Sequence, residues 1–493
     1  MTRGRNKPWQ HSSVPGTRWF RSPEAVSAGV LAAIGIATSA ARSEQRWEYG
    51  PLADALLAGH GLSVPSAGGW PPSAFVEPYY PMLLAATTAL AGPLGGGVMI
   101  ALQIAALVLA ARLVAGVASQ RLGVPRGAAV LVVALWPPLV IASLKFHPQA
   151  FRALLLAALS FTLRSPRRSE SKGSPPIERW VIAFGALVGA CVWARSVYLV
   201  PAAVLAVFAL RLASSWRAQG GRVRAALAVA LVVAAPWWIR NGVAFGTFVP
   251  FTTNGGLNLA MGNHPGATGE ADDDARAGAR ALLATPPVAP DEVAADRALG
   301  RAALSWIASD PVNAAAGWAR KLGYLLVMRP GAGERYPRLL RWAYVLFACV
   351  TTPLLVWGAW RAPPEARWLL LAPALALLGA FAVFAVNQRY RFEADVLLAP
   401  FALAGAMHLA RAWRTRARRS PWRRSLAAAA CVALAVPAGL LAGRPDLAAA
   451  ALVRDESARL VSVDAVFVAS GDVDFHRTRH AATAGTAAGR PAY

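Results

Sequence analysis

Long apolar runs alternate with short polar connections along almost the whole chain. An α-helix needs roughly 17 to 25 apolar residues to cross a bilayer, and most of the runs approach or reach that length. The pattern therefore predicts an all-α integral membrane protein with about eleven spanning helices. They are expected near residues 24–41, 95–118, 127–143, 148–163, 180–194, 196–211, 224–239, 340–359, 368–386, 393–410 and 425–442.

The first apolar run follows five basic residues, as it would in a secretory signal peptide. No convincing cleavage context followed by a soluble domain comes after it, and further apolar runs continue downstream. We therefore interpret residues 24–41 as an uncleaved first span.

Basic residues alternate in density from one connection to the next. If the N-terminus is cytoplasmic, the connections on that side carry 25 Lys or Arg residues, whereas the opposite connections other than residues 240–338 carry six. Positive charge concentrates in cytoplasmic loops, so this assignment is favoured at every short loop. The six opposite residues are Arg42, Arg46, Lys145, Arg195, Arg389 and Arg391.

Two connections are much longer than the rest, and both fall on the outer side in this orientation. They comprise residues 42–94 and 240–338, within a transmembrane core of residues 1–443 that a tail of residues 444–493 follows. Functional residues concentrate on loops that a rigid scaffold positions, so we expect the chemistry of the protein in these two loops.

Three further helices are predicted in the outer loops. The run at 79–92 is too short to span and opens with two tyrosines and a proline, which favours a helix lying in the membrane interface. Residues 291–309 and 312–328 carry apolar residues at helical spacing on either side of an Asp-Pro break. We expect these two helices to form a hairpin resting on the membrane.

Composition agrees with the membrane class and narrows the alternatives. The chain is 56% hydrophobic with a mean hydropathy of +0.42, too apolar for 493 residues of soluble domains. Its net charge of +25 falls in blocks between apolar runs rather than on one continuous face, so nucleic acid is not the expected partner. The three cysteines show no paired spacing that would indicate a disulfide framework or a metal site.

Acidic residues mark the beginning of a predicted helix in the first outer loop. Tyr49, Leu52 and Leu56 share one helical face, and two glycines follow as stop signals. Glu48 would then lie at the start of a short interfacial helix. One interpretation is that Glu44, Glu48 and Asp54 are solvated acids that complement the helix dipole, and the other is that one of them is catalytic.

The sequence of the outer loops resembles bacterial glycosyltransferase family 39 and its relatives. Residues 235–269 read APWWIRNGVAFGTFVPFTTNGGLNLAMGNHPGATG, similar to the family pattern PW-x-x-RN, F-G, P-x-x-x-N-x-G and L-x-x-GN-x-P. Residues 48–61 fit E-x-G-x-x-A-x-x-L-x-x-G-x-G, and PPSAFVEPYYP follows from residue 71. NQRYRFEADVLLAP, from residue 387, is similar to the family's RYR element, although Glu393 stands where the family often has proline.

This resemblance implies the GT-C architecture, with an active site on the outer side and a polyprenyl-phosphate sugar as donor. Displacement at the anomeric carbon needs a carboxylate to accept the proton of the acceptor hydroxyl, and cations or amides to stabilise the departing lipid phosphate. The resemblance assigns the first role to Glu48, with Glu44 as the alternative. For the phosphate, the candidates at span ends are Arg240, Asn241, Arg389 and Arg391.

Each candidate also has a purely structural interpretation. An Arg just outside a span is often an interfacial anchor, and the Trp237-Trp238 pair is most simply an aromatic belt. His147 is interpreted as a polar cap before a span, and His264 as part of a turn. The acidic run of residues 272–274 has no His or Cys nearby, so we interpret it as solvated and expect no metal and no other cofactor.

We therefore predict an inverting membrane glycosyltransferase in a bacterial inner (plasma) membrane, a source suggested by the abundance of Ala and Arg with little Lys. A transporter or lipid flippase is the main alternative, and it would be expected to show inverted repeats and ionisable residues in mid-span. A structural scaffold would leave the outer-loop motifs unexplained. The acceptor, whether glycolipid, polysaccharide or protein, and the sugar stay open.

Overall fold

The computed structural model describes residues 22–40, 48–66, 69–163, 179–211, 216–271, 273–283, 292–327, 338–387 and 389–416. Regular secondary structure in these ranges is helical, with isolated β-bridges only at Ser63 with Pro72, Ser66 with Gly69, and Glu270 with Val386. The α-helices of the described part are α1 (Pro23–Ala37), α2 (Tyr49–Leu57), α3 (Tyr79–Ala91), α4 (Gly95–Arg121), α5 (Arg126–Ala134), α6 (Pro137–Ser143), α7 (Gln149–Thr162), α8 (Arg179–Ala194), α9 (Leu199–Arg211), α10 (Trp216–Phe245), α11 (Gly255–Gly262), α12 (Asp273–Ala281), α13 (Glu292–Ser309), α14 (Pro311–Val327), α15 (Arg338–Arg361), α16 (Pro364–Ala366), α17 (Ala372–Phe381) and α18 (Arg389–Arg416).

Helix α18 lies at the centre of the bundle. It packs against α4, α5, α6, α7, α15 and α17, and its first ten residues are almost all buried. Such close packing depends on small residues at the crossings. A Cβ added at Gly358 would overlap the carbonyl oxygen of Phe401, and one added at Gly405 would overlap that of Leu354. Small residues of this kind let membrane helices approach at backbone distance.

Four helical stretches are long and apolar enough to cross a membrane within the described ranges. Shorter apolar helices of 10 to 17 residues lie at four of the other predicted spans. The predicted run at 340–359 is covered by α15, whereas the run at 425–442 lies outside the described residues. The all-α membrane class is thus confirmed, and the number of eleven spans stays a prediction. The four stretches are Tyr79–Arg121, Gly220–Phe245, Pro364–Phe381 and Arg389–Arg414.

The predicted span at 127–143 is broken rather than straight. Its two halves, α5 and α6, meet at an angle of 59°. Pro137 and Pro138 open α6, and a proline in a helix interior removes a backbone hydrogen bond and clashes with the preceding turn. The bend therefore follows directly from the Trp-Pro-Pro sequence. If the two halves form one span, the described part has five candidate spans.

The short helix predicted at residues 79–92 is present as α3, and it packs inside the bundle. α3 contacts α2 and α4, and Tyr80 and Leu84 are buried between them. The chain turns at Gly92, whose φ of 53° favours glycine, and Gly95 then packs against the backbone of Thr88. The interfacial position of α3 stays a prediction.

The two helices predicted in the second outer loop are α13 and α14. They are separated by the Asp310-Pro311 break, and the Asp310 carboxylate accepts the backbone N–H of Asn313 at 3.2 Å, as an N-cap residue does. α13 packs mainly against α11, so the pair is tied to the rest of the outer loop rather than standing apart.

The alternation of basic blocks predicts which side each loop occupies. A reporter fused after residue 172 should indicate the cytoplasm, and one inserted near residue 275 should indicate the outer side. Labelling with a membrane-impermeant reagent checks both positions. Finding the two on the same side would contradict the topology.

Candidate active site

Glu48 lies directly before α2 and is half-buried. Its backbone is already helical, at φ −60° and ψ −14°, and its side chain makes no capping hydrogen bond to the helix. Gly59 and Gly61, with φ of 81° and 70°, follow the helix where the sequence predicts its end. The carboxylate is thus not used to cap α2. Glu44, the alternative candidate, lies outside the described residues.

The charge of Glu48 acts on two tyrosines that lie near arginines of other helices. It lies within Coulombic range of Tyr49 and of Tyr390, which stands in the RYR segment at the start of α18. Arg195 and Arg389 act on the same Tyr390 ring. Glu48 and Arg389 thus both act electrostatically on Tyr390, and their shared place in a catalytic site stays a prediction.

Arg389 is held by His147 and by its neighbour Tyr390. Its Nη1 lies 2.7 Å from Nε2 of His147, and its guanidinium lies 5.9 Å from the centre of the Tyr390 ring. An arginine only donates, so Nε2 of this imidazole accepts and its proton is on Nδ1. His147 was predicted to be a polar cap before a span, and it is buried beside α7 with this additional contact.

A buried ionic network lies beside these groups, and the sequence interpretation missed it. Arg152 donates to Oε2 of Glu77 at 2.8 Å and to Oε1 of Glu393 at 3.4 Å. The hydroxyl of Tyr198 donates to the other oxygen of Glu393, and Arg152 also reaches the hydroxyl of Tyr49 at 3.4 Å. Both carboxylates of the network are therefore engaged.

Arg195 extends the network toward Tyr390. Its Nε lies 3.8 Å from Oε1 of Glu77, and its guanidinium lies 4.4 Å from the centre of the Tyr390 ring and 4.9 Å from that of Phe381. Arg195 stands between α8 and α9, whereas Arg152 is in the first turn of α7. Three guanidinium groups from different parts of the chain, Arg152, Arg195 and Arg389, thus meet at one end of the bundle.

Two details of the sequence signal this network. Arg152 interrupts an apolar run, where an ionisable residue is costly and indicates a partner or a function. Glu77 lies in the proline- and tyrosine-rich stretch that was singled out by the family resemblance. Neither signal indicates which residues pair, because the paired residues are 75 and 241 positions apart.

Arg391 is placed differently from Arg389. It is buried, its Nε lies 3.1 Å from Oδ1 of Asp395, and its Nη1 donates to the carbonyl oxygens of Leu325 and Leu326 at the end of α14. Asp395 also accepts from Nε1 of Trp136 at 3.1 Å. These contacts favour a structural role for Arg391, since its guanidinium joins α14 to α18.

Arg240 and Asn241 lie at the junction of the two outer loops. Asn241 is buried and donates to the carbonyl oxygen of Val249 at 3.0 Å, while Arg240 donates to the carbonyl oxygen of Leu62 at 2.5 Å and to Oδ1 of Asn241 at 3.0 Å. Glu292 lies nearby and accepts from the backbone N–H of Ala74 at 2.8 Å and from the hydroxyl of Thr253. Burial raises the pKa of Glu292, against the opposing effect of these hydrogen bonds.

The two tryptophans before Arg240 support the same junction. Trp237 and Trp238 donate their indole N–H groups to the carbonyl oxygens of Phe251 and Pro250, at 3.2 and 2.8 Å. Trp237 is 1% exposed, so the aromatic-belt interpretation is wrong for this residue. The PWW-x-RN motif thus fixes the path of the chain as it leaves α10.

Lys321 connects the GN-x-P motif to the segment before α18. Its buried ammonium donates to the carbonyl oxygens of Gly262 and Val383, at 3.0 and 3.3 Å, and to Oδ1 of Asn263 at 3.2 Å. Burial lowers the pKa of Lys321 to about 8, and the positive charge of Arg320 acts in the same direction. His264, predicted to be in a turn, lies buried against Gly278.

A pH-dependent stability difference is expected from Lys321. Its pKa in the folded state lies below the ordinary lysine value, so the burial penalty is complete below about pH 8 and is relieved as the pH rises above it. The melting temperature of the wild type should therefore improve relative to Lys321→Met between pH 7 and pH 9.5. Thermal unfolding of both proteins in the same detergent measures this difference. A difference that is the same at both pH values would contradict the lowered pKa.

No group of three or more His, Cys, Asp or Glu side chains gathers in a metal-binding arrangement within the described residues. The side chains of the acidic run at 272–274 are outside them.

Comparisons with known proteins give a structural similarity and no sequence match. No family model matches the chain, and no curated protein does. The crystal structure of ArnT from Cupriavidus metallidurans bound to undecaprenyl phosphate is similar, with a TM-score of 0.37 and 16% identity over 80% of each chain. The structure of that protein in the apo state gives a TM-score of 0.34 and 14% identity, covering 77% of this chain and 78% of that one. Because both TM-scores are below 0.5, we base the functional proposal on the residues of this chain.

Proposed function

We propose that the protein is an inverting glycosyltransferase that moves a sugar from a polyprenyl-phosphate donor to an acceptor on the outer side of a bacterial inner membrane. The observation that carries the proposal is the placement of Arg195 and Arg389 against the ring of Tyr390, on which the charge of Glu48 also acts. One carboxylate and two guanidinium groups are what a direct displacement from a lipid phosphate requires.

Glu48 is the best placed carboxylate for proton transfer. Glu77 and Glu393 are both engaged by Arg152, and Glu393 also accepts from Tyr198. Glu48 makes no hydrogen bond or ion pair with any residue that the structure describes, so its lone pairs are available to an acceptor hydroxyl. In this proposal Glu48 is the general base, and Glu77 and Glu393 position the arginines.

The guanidinium groups serve the leaving group. The acceptor oxygen forms its bond to the anomeric carbon as the bond from that carbon to the phosphate oxygen breaks. Glu48 takes the hydroxyl proton, and Arg389 and Arg195 stabilise the negative charge that develops on the polyprenyl phosphate. A single displacement from the opposite face inverts the anomeric centre, and no step requires a metal.

Arg240, Asn241 and Arg391 have supporting roles in this proposal. Arg240 and Asn241 fix the first outer loop to the end of α10, and Arg391 fixes α14 to α18. The contacts that these three residues make with the protein use donors that a phosphate would need.

The location of the ionic network favours an enzyme over a transporter. Arg152 lies in the first turn of α7, Glu393 in the second turn of α18, and Arg195 just after α8. In the orientation that the charge pattern predicts, all three are at the outer ends of their helices. A transport path would instead place ionisable residues near the middle of the membrane.

The donor role of the arginine pair predicts a specific effect. Arg389→Met should reduce use of the lipid-phosphate donor at least about tenfold, since it removes one charge-assisted contact to the leaving group. Arg361→Met is the matched control and should leave transfer close to wild type. Arg361 is the last residue of α15 and lies on the predicted cytoplasmic side, opposite to Arg389. Release of polyprenyl phosphate from a labelled donor measures both variants. Equal activities of the two would remove Arg389 from the donor site.

The function itself is tested in cells. Extracted glycolipids, polysaccharides and glycoproteins should differ by one sugar substituent between cells with and without this chain. The Glu48→Gln variant, expressed at the wild-type level, should fail to restore the missing substituent. Identical extracts would contradict the proposal.

A further inference from the structure

A groove of about 600 Å³ lies between α11 and α13, and its lining residues are not members of the network around Arg152. Its walls approach closely because glycines occupy the crossing of the two helices. A Cβ added at Gly256 would overlap the carbonyl oxygen of Asp296, and one at Gly300 would lie in van der Waals contact with Cα of Gly256. Leu259, Leu304 and Phe384 supply an apolar lining. The groove is therefore a built feature of the packing between the two outer-loop helices.

The charged side chains of the groove are mostly basic. Arg297 and Arg301 stand one turn apart on the exposed side of α13. Asp296 is the one acid in the lining, and its carboxylate accepts the backbone N–H of Gly256 at 2.6 Å, at the start of α11. The helix dipole therefore offsets part of its charge. Even if Asp296 balances one arginine, one positive charge remains in the lining.

The guanidinium groups retain donors for a ligand. One nitrogen of Arg297 donates to the hydroxyl of Thr247 at 3.1 Å and to the carbonyl oxygen of Phe248 at 3.4 Å, and Nε of Arg301 donates to the carbonyl oxygen of Arg297 at 3.3 Å. Neither arginine forms an ion pair with a carboxylate in the described ranges of the chain. Two guanidinium groups one turn apart match the oxygens of a phosphate.

The groove opens at the end of a membrane span. Thr247 and Phe248, which Arg297 contacts, follow the end of α10 at Phe245 by two and three residues, and α10 belongs to a candidate span. Phe248 is 62% exposed and Leu304 is 57% exposed, so apolar surface continues from the groove. Basic side chains at headgroup level beside exposed apolar side chains are the arrangement that binds an anionic lipid.

We propose that the α11–α13 groove binds the phosphate headgroup of an anionic membrane lipid, with Arg297 and Arg301 on the phosphate and Leu304 and Phe384 against the glycerol and upper acyl chain. The site is separate from the proposed transfer site, and it stands or falls independently of the glycosyltransferase activity. Such a lipid would fix the second outer loop to the membrane surface.

The test uses the full chain in a zwitterionic detergent, with phosphatidylglycerol as the probe. Binding is measured by native mass spectrometry for the wild type, for Arg297→Gln with Arg301→Gln, and for Arg320→Gln. Arg320 is an exposed arginine of α14 outside the groove, which makes it the matched control. A basic residue near a membrane surface contributes about a fivefold effect on affinity, so the double variant should bind about thirtyfold more weakly and the control close to wild type.

Three results would overturn the proposal. The first is wild-type binding by the double variant, and the second is an equal loss in Arg320→Gln, which would indicate attraction by net charge alone. The third is displacement of the lipid by inorganic phosphate at the same concentration as phosphatidylglycerol, which would indicate a free-phosphate site. Leu304→Ser is an independent test of the apolar part of the groove. It should weaken lipid binding several-fold while both arginines stay in place. Near-identical melting temperatures would show that the variants are folded.

Discussion

Replacing Glu48 by glutamine is expected to lower sugar transfer by about a hundredfold or more, with little change in folding. Glutamine keeps the size and polarity of the side chain but does not accept the proton of the acceptor hydroxyl. Folding should be preserved because the Glu48 side chain makes no capping bond to α2. Turnover of a polyprenyl-phosphate sugar by purified variants, compared at matched folded concentration, measures the effect.

Glu44→Gln is the control for this prediction and should be mild. If the two acids only favoured the start of a helix, both variants would keep nearly full activity, because such an effect is worth only a few tenths of a kcal/mol. A dead Glu44→Gln beside an active Glu48→Gln would move the base to Glu44. Two active variants would remove the first outer loop from the chemistry.

The second large effect is expected from Arg152, whose replacement by methionine should destabilise the protein by about 3 to 5 kcal/mol. Arg152 is 1% exposed and is the partner of both Glu77 and Glu393, so its removal leaves Glu393 without a cation and Glu77 with only the longer contact to Arg195. Breaking a buried ion pair from one side costs far more than the pair contributes, because the remaining charge stays desolvated. The melting temperature in detergent should fall markedly.

Neutralising the carboxylates should recover part of this loss. Adding Glu77→Gln and Glu393→Gln to Arg152→Met removes the uncompensated charges, so the triple variant should melt above the single variant. A matched control is Arg301→Met, an exposed arginine outside the network, which should change the melting temperature little. A triple variant less stable than Arg152→Met alone would contradict the ionic account of this cluster.

Much of the helical architecture could be predicted from the sequence, because membrane helices are encoded locally. The two helices of the second outer loop begin and end within a few residues of their predicted bounds, and α2 ends at the predicted glycines. The bend between α5 and α6 was missed, although the Pro137-Pro138 pair indicates it. The mean hydropathy of a window of residues does not detect the backbone hydrogen bonds that a proline removes.

The candidate site was predictable only in part. Family motifs indicated Glu48 and Arg389, whose charges both act on Tyr390, and their catalytic roles stay predictions. Arg391 was predicted to bind the phosphate because it lies at the end of a span. Asp395 follows it by one helical turn, and the i,i+4 spacing already indicates the ion pair that the two residues form. The joining of Arg152 to Glu77 and Glu393 depends on tertiary packing between distant segments, and periodicity carries no information about it.

The most direct test of the proposed function is a transfer reaction with the purified chain in lipid nanodiscs. A polyprenyl-phosphate donor with a labelled sugar is supplied together with a membrane extract of the host as acceptor. We expect one polyprenyl phosphate released for each sugar transferred, with the opposite anomeric configuration in the product, and no transfer by Glu48→Gln. Intact donor after prolonged incubation with folded wild-type protein and every acceptor fraction, or a product that retains the configuration, would contradict the proposed function.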